Sequence, residues 1–179
     1  MFRLLSFSVV GVIILFVCLG FIRLLGLLEV EEAQNTVQVY FYRHEKLYPV
    51  KRPVPGGMAK ETVALRELFT GPTLEEKSNL IQTMIPAGLK LHSVGYEPDK
   101  TGDGRILILG FDEAFLKISG GHGSIDGTLK QIVFTVTQIK DIKAVSFRLQ
   151  GSSANVLVIG GEGYIIDRPL DRDYFKGVR

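Results

Sequence analysis

Beyond an apolar N-terminal run, the hydrophobic positions follow two rhythms, one of period two and one of period three to four, and each predicts a different element. Thr36-Val-Gln-Val-Tyr-Phe-Tyr42 alternates and is rich in β-branched and aromatic residues, which marks a strand. The stretch that follows, to Met58, carries Pro49, Pro53, Pro55, Gly56 and Gly57 and reads as a loop. Lys60 to Phe69 sets Val63, Leu65 and Leu68 at roughly helical spacing and stops at Thr70-Gly71-Pro72. Thr73 with Glu76 predicts a capping box and a second short helix, with Leu74, Leu80 and Ile81 as its apolar members. Leu89 to Tyr96 is an imperfect strand that sets Leu89, Leu91, Ser93 and Gly95 on one face. Arg105 to Phe111 is almost continuously apolar and predicts a central strand covered on both faces. Ser124 is expected to cap a helix whose first turn holds Asp126 and whose stripe is Leu129, Ile132, Val133, Val136 and Ile139. Ala144 to Leu149 and Val156 to Ile159 read as a hairpin or a strand and return around Gly151 to Asn155.

The order strand, helices, strand, strand, helix, strand implies an α+β fold: a split βαβ-like, mainly antiparallel sheet with helices on one face. One N-terminal transmembrane helix is expected before it. The expected organisation is a membrane anchor over 1–28, a linker over 29–35, an α+β domain over 36–160 and a charged C-terminal tail over 161–179.

Leu4 to Ile22 contains no charge, and at about 1.5 Å per helical residue its length matches the hydrocarbon thickness of a bilayer. Arg3 and the free amine precede it, whereas Arg23 after it is soon outweighed by Glu29, Glu31 and Glu32. The flanks therefore place the N-terminus in the cytoplasm and the domain outside, as a single-pass protein of the cell membrane. A cleaved signal peptide would want a shorter core and a small-residue exit, and none is evident after Gly20. A lipoprotein signal would place small residues before Cys18, where Leu15-Phe16-Val17 stand instead.

Charge narrows the partners. The formal net charge is +2, carried by Arg3 and Arg23, and from Glu29 onward acids and bases balance. Nucleic-acid binding needs clustered cations, and the densest group is only Lys46, Lys51, Arg52 and Lys60. No nucleic-acid partner is expected. The single cysteine, Cys18, lies in the apolar run and can neither staple the domain nor join a thiolate metal site.

Three constellations invite chemistry. Asp99, Thr101, Asp103 and Gly104 occupy the first, third, fifth and sixth places of an EF-hand-like loop, but the twelfth is Gly110 rather than a bidentate carboxylate. A tight turn accounts for them better. Gly120-Gly121-His122-Gly123 before a helix could offer amides to an anion, yet lacks the Lys and Ser/Thr of a phosphate loop. Asp112 and Glu113 close an apolar strand, where Asp112 suits the cap of a short helix through Phe115 and Leu116. His44, His92 and His122 have no ligand spacing, and no Ser or Cys has a base nearby in sequence. The expectation is no catalytic, metal or cofactor-binding residue, no cofactor, no enzyme and no small-molecule substrate.

Leu65-Arg-Glu-Leu-Phe-Thr-Gly-Pro72, Ile85-Pro-Ala-Gly-Leu89, Phe111-Asp-Glu-Ala-Phe115, Gln131-Ile-Val-Phe-Thr-Val-Thr-Gln138 and Val145-Ser-Phe-Arg-Leu-Gln-Gly151 form successive blocks over about residues 36–152. In these blocks the chain resembles the GerMN domain of sporulation and germination proteins. The resemblance implies a non-enzymatic envelope component, tethered to membrane lipid through residues 4–22, that packs against copies of itself or other envelope proteins. One such domain is present rather than a tandem pair, and the anchor reads as transmembrane rather than lipid-linked. The alternative is a cell-wall or polysaccharide binder, for which Tyr40, Tyr42, Tyr48 and Tyr96 could supply an aromatic platform.

Overall fold

Strand β1 (Thr36–Arg43) buries Val37, Val39 and Phe41, as its alternation predicts. The computed structural model describes residues 35–152, 156–161 and 163–176. The expected anchor over 1–28, Cys18, most of the linker over 29–35 and Asn155 lie outside the described residues. Among those described, no helix is long and apolar enough to cross a membrane.

The loop expected after Tyr42 is half strand. His44 and Glu45 both take positive φ, 48° and 62°, as a type I′ turn requires, and the chain returns as β2 (Lys46–Pro53). Pro49 and Pro53 fit because β2 lies at the edge of a sheet ordered β2-β1-β3, where a missing N–H need cost no ladder bond. Neither His nor Glu signals such a turn, and prolines suited to an edge strand look like those of a loop.

Helix α1 (Lys60–Thr70) buries Val63, Ala64, Leu65 and Leu68 and ends at Gly71 with φ 85°, a conformation open to glycine. Helix α2 (Leu74–Ser78) has both capping-box bonds: Glu76 N donates to Thr73 Oγ1 at 3.2 Å, and Thr73 N to Glu76 Oε2 at 2.8 Å. Its expected apolar face is corrected, because Leu74 is 85% and Leu80 54% exposed. Charge holds this helix instead. Arg52 of β2 donates to both Glu76 carboxylate oxygens, at 2.6 and 2.7 Å. Only Ile81 is buried, in β3 (Ile81–Gln82), which pairs antiparallel with the end of β1.

A second sheet has the order β4-β5-β6, formed by β4 (Leu91–Pro98), β5 (Arg105–Phe111) and β6 (Ile142–Leu149). β5 is central and largely buried, as expected. β4 runs antiparallel to it with a bulge at His92, and β6 runs parallel, so the chain crosses over through α3 (Gly121–Val136). A third sheet is the pair β7 (Leu157–Ile159) and β8 (Tyr164–Ile166). The α+β class stands, but the single mainly antiparallel sheet is replaced by small antiparallel and mixed sheets.

Two expectations about the C-terminal part are corrected. β7 returns on β8 rather than on β6, whose outer edge instead exchanges two backbone bonds between Val145 and Leu170, at 2.9 and 2.8 Å. The charged tail expected over 161–179 also feeds the core, since Tyr164, Ile166, Leu170 and Phe175 are buried with the main cluster. Its buried residues are spaced among Arg168, Asp171, Arg172 and Asp173, so average polarity conceals them.

Ser124 does not cap α3. The cap falls four residues earlier, at Gly120 with φ 103°, and Asp126 lies beyond the first turn. Burial of Ile125 together with Leu129, Ile132, Val133 and Val136 overrides the poor propensity of the glycine run. A second, polar row, two residues on α3 and Gln138 in the turn after it, serves the free edge of β1 beyond the short β3. Thr135 Oγ1 accepts from Tyr40 N at 3.0 Å, Gln131 Nε2 donates to Tyr40 O at 3.0 Å, and Gln138 Oε1 accepts from Gln38 N at 2.9 Å while its amide donates to Gln38 O. A spacing of four keeps Gln131 and Thr135 on one helix face, and the turn after Val136 brings Gln138 to the same edge. The helix thus stands in for a missing strand.

Candidate interaction surface

The residues that invited chemistry in the sequence have structural work. Asp99 Oδ2 accepts from the hydroxyl and backbone N of Thr101, and Asp99 N donates to Gly104 O at 3.0 Å, which closes the β4–β5 turn. Those bonds hold the Asp99 carboxyl below its ordinary range. Asp112 caps a short 3-10 helix, Glu113–Lys117, by accepting from Ala114 N at 3.0 Å, as expected. Its other oxygen lies 3.2 Å from His92 Nε2, and this bond holds the carboxyl low. Gly120 to Gly123 open α3, where the His122 ring lies 5.6 Å from that of Tyr164. His44, His92 and His122 thus sit on three separate elements. Among the described residues no group of three His, Cys, Asp or Glu side chains could hold a metal ion.

The candidate basic cluster is divided in the same way. Arg52 is bound by Glu76 and also lies 3.4 Å from Glu67, while Lys46 and Lys51 lie on β2 and Lys60 opens α1. The tyrosines are also dispersed. Tyr40 packs edge-on to Phe134 at 5.9 Å, Tyr48 is exposed on β2 with the Arg43 guanidinium over its ring, and Tyr96 lies on the second sheet. Tyr96 donates to Glu61 Oε1 at 2.7 Å under the Arg105 guanidinium. Burial first, and then that carboxylate, push its hydroxyl up to about 12.

Two of the concave surfaces join elements distant in sequence, and neither was named from the sequence. One is a cleft of about 860 Å³ between the β1–β2 turn and α3, with Leu80, Met84 and Phe134 as apolar walls and Asp126 and Lys130 as charged ones. Burial raises the Asp126 carboxyl, partly offset by Lys130 and by the Tyr164 hydroxyl at 3.5 Å. Burial and then Asp126 push Tyr42 up to about 12. Glu45 and Lys46 line it as well, so the cleft can seat an apolar side chain among charges of both signs.

The other is a groove of about 550 Å³ between α1 and the edge strand β4. Leu65 and Phe69 of α1, with Leu89, Leu91 and Val94, make it apolar, while Arg66, Lys90 and His92 add polar groups. Val94 and Tyr96 stand opposite Leu109 and Leu107 and share their face of the sheet. Yet Val94 is 45% and Tyr96 42% exposed, whereas Leu107 and Leu109 are fully buried. The apolar face therefore runs out to an uncovered edge. A raw edge is legible only once pairing is known, because the strand pattern of β4 does not say that nothing lies beyond it.

No curated protein sequence matches the chain. Among solved structures it is similar to the tandem GerMN domains of the sporulation protein GerM from Bacillus subtilis, with 25% identity and a TM-score of 0.55. That match covers 76% of this chain and 45% of the tandem structure, so the chain spans less than half of that relative. It is also similar to the first GerMN domain of the same protein, with 20% identity and a TM-score of 0.55, over 77% of this chain and 98% of that one. The profile of the Germane family, described as sporulation and spore germination, matches residues 38–155. That match takes in β1 through β6, including the α3 row that completes the edge of β1, and the chain belongs to the Germane, or GerMN, family.

Proposed function

We propose that this GerMN domain is a binding and assembly module of the cell envelope, held to the membrane by residues 4–22 and working outside the cytoplasm by contact rather than by turnover. The observation that carries the reading is the uncovered edge of β4, where Val94 and Tyr96 stay exposed beside fully buried partners. Exposed sheet edges are templates for association. The uncharged Leu4 to Ile22 run and the balanced charge beyond Glu29 support a tethered body without a polyanionic partner. Lysine-reactive crosslinking in native membranes, followed by mass spectrometry, tests it. The expected product is a discrete adduct with a second copy or another envelope protein; uncrosslinked chain that co-sediments with isolated wall polysaccharide would replace assembly with wall binding.

A further inference from the structure

We infer that residues 167–176 form a strap that closes the β6 edge of the second sheet, so that strand addition between molecules is confined to β4 and stops after one neighbour. This role for the strap rests on the assembly reading. The second sheet has two edge strands, β4 and β6. With one open edge a domain takes a single neighbour there, whereas two open edges of one sheet let identical copies add head to tail without limit.

The β4 edge is open. Asp99 N donates to Gly104 O at 3.0 Å across the β4–β5 turn, and the register then runs unbroken from Pro98 to Ser93. Alternation therefore turns the backbone groups of Glu97, Gly95 and Ser93 towards β5 and those of Tyr96 and Val94 outwards. Arg105 N agrees, because it donates to Asp141 O at 2.7 Å, away from β4. Among the described residues no strand pairs with that outward side. From Ser93 to Tyr96 there is neither a proline nor a charged side chain to discourage an added strand.

The β6 edge is occupied. Val145 N donates to Leu170 O at 2.9 Å and Leu170 N to Val145 O at 2.8 Å, so Leu170 directs both backbone groups at β6. Its neighbours Pro169 and Asp171 direct theirs away, where Pro169 has no N–H to offer and Asp171 is exposed with its carboxylate. The strap thus covers one edge and is a poor template for another. Side chains pin it beyond the edge: Arg172 donates from Nε to Thr137 Oγ1 at 2.9 Å and from Nη2 to Phe134 O at 3.0 Å, and Phe175 is buried. In the first sheet β2 carries guards of the same kind, Pro49, Pro53, Lys46 and Lys51.

Particle size over a hundredfold range of concentration, measured by sedimentation with the full-length chain in detergent micelles, tests the strap. Wild type should stay at one or two copies per particle. Leu170→Pro removes the N–H given to Val145 O, and its particles should grow at least about fourfold with concentration. Pro169→Val combined with Asp171→Asn keeps Leu170 in place but opens the outer side of the strap, and should grow as well. Adding Val94→Lys, a charged guard on the β4 edge, should return either variant to the wild-type size, which aggregation of an unfolded core would not do. Amide hydrogen exchange in β5 and α3 reports whether the core holds; if Leu170→Pro loses that protection, the Pro169→Val, Asp171→Asn variant decides alone. Variants that stay at the wild-type size, growth that Val94→Lys leaves unchanged, or a wild type that itself grows without limit would overturn the inference. Crosslinked neighbours in native membranes with variants that do not grow would leave assembly standing and remove the strap's role. Growth stopped by Val94→Lys, with no crosslinked neighbour in native membranes, would keep the strap and remove assembly as the function.

Discussion

At the scale of single residues, two polar groups, the buried Gln131 and the half-buried Glu76, hold more of the fold than their polarity suggests. Gln131 is fully buried, donates to Tyr40 O and accepts from Met84 N, so one side chain joins β1 to the chain after β3. Gln131→Leu keeps most of the volume but removes the partner of the Tyr40 carbonyl and of the Met84 N–H. Each lost bond is worth about 0.5–1.5 kcal/mol, so chemical denaturation should show a loss of about 2 kcal/mol with little change in slope. Glu76 carries a pH dependence. Its bond to Arg52, more than any other cause, lowers its pKa in the folded state. A depressed carboxylate stabilises the fold above its unfolded value, near 4, and that stabilisation is lost as pH falls through the folded value. The wild type should therefore exceed Glu76→Gln by about 1–2 kcal/mol at pH 7, with the gap closing below about pH 4. A gap that persists unchanged in acid would assign the loss to the altered cap rather than to charge.

At the scale of elements, what the sequence revealed was periodicity, and what it hid was pairing. The α3 stripe from Leu129 to Val136 was legible because four buried side chains repeat at helical spacing. The β5 core was legible because Ile106 to Leu109 leaves no polar face. β2 stayed hidden because His44-Glu45 turns the chain without the residues that favour positive φ, and because prolines suited to an edge look like loop residues. The start of α3 was misplaced since Gly120 opens it where a side-chain cap was expected. Neither concave surface could be read in advance, because each joins elements distant in sequence. The C-terminal part shows the same limit, as Leu170 looks like one apolar residue in a charged tail yet is 1% exposed and completes the outer edge of β6. Leu170→Ala should cost about 3 kcal/mol by leaving a cavity, whereas Ile165→Ala, at a position 57% exposed, should stay within about 0.5 kcal/mol. Equal effects in thermal melts would mean that the C-terminal segment does not dock as described.

At the scale of the whole molecule, the proposed placement of the domain rests on the basic residues beside the apolar run. The two basic residues that unbalance the chain flank the uncharged run, and three glutamates follow within ten residues of Arg23. Topology is set by basic residues held back near the ends of a span, and a domain beyond it is transferred largely regardless of its own charge. The Asp99 to Gly104 turn offers a place to test this, because Asp103 is exposed and its side chain is not among the bonds that close the turn. With Cys18 replaced by alanine, Asp103→Cys supplies the sole thiol of the chain. A membrane-impermeant maleimide added to intact cells should label that thiol in the membrane fraction, at the full length of the chain. Labelling only after the membrane is opened would put the domain in the cytoplasm and deny it any extracytoplasmic partner at the β4 edge. Labelling of a shortened, released product would make residues 1–28 a removed leader, and the domain would then have to reach its partner by diffusion rather than from a tether.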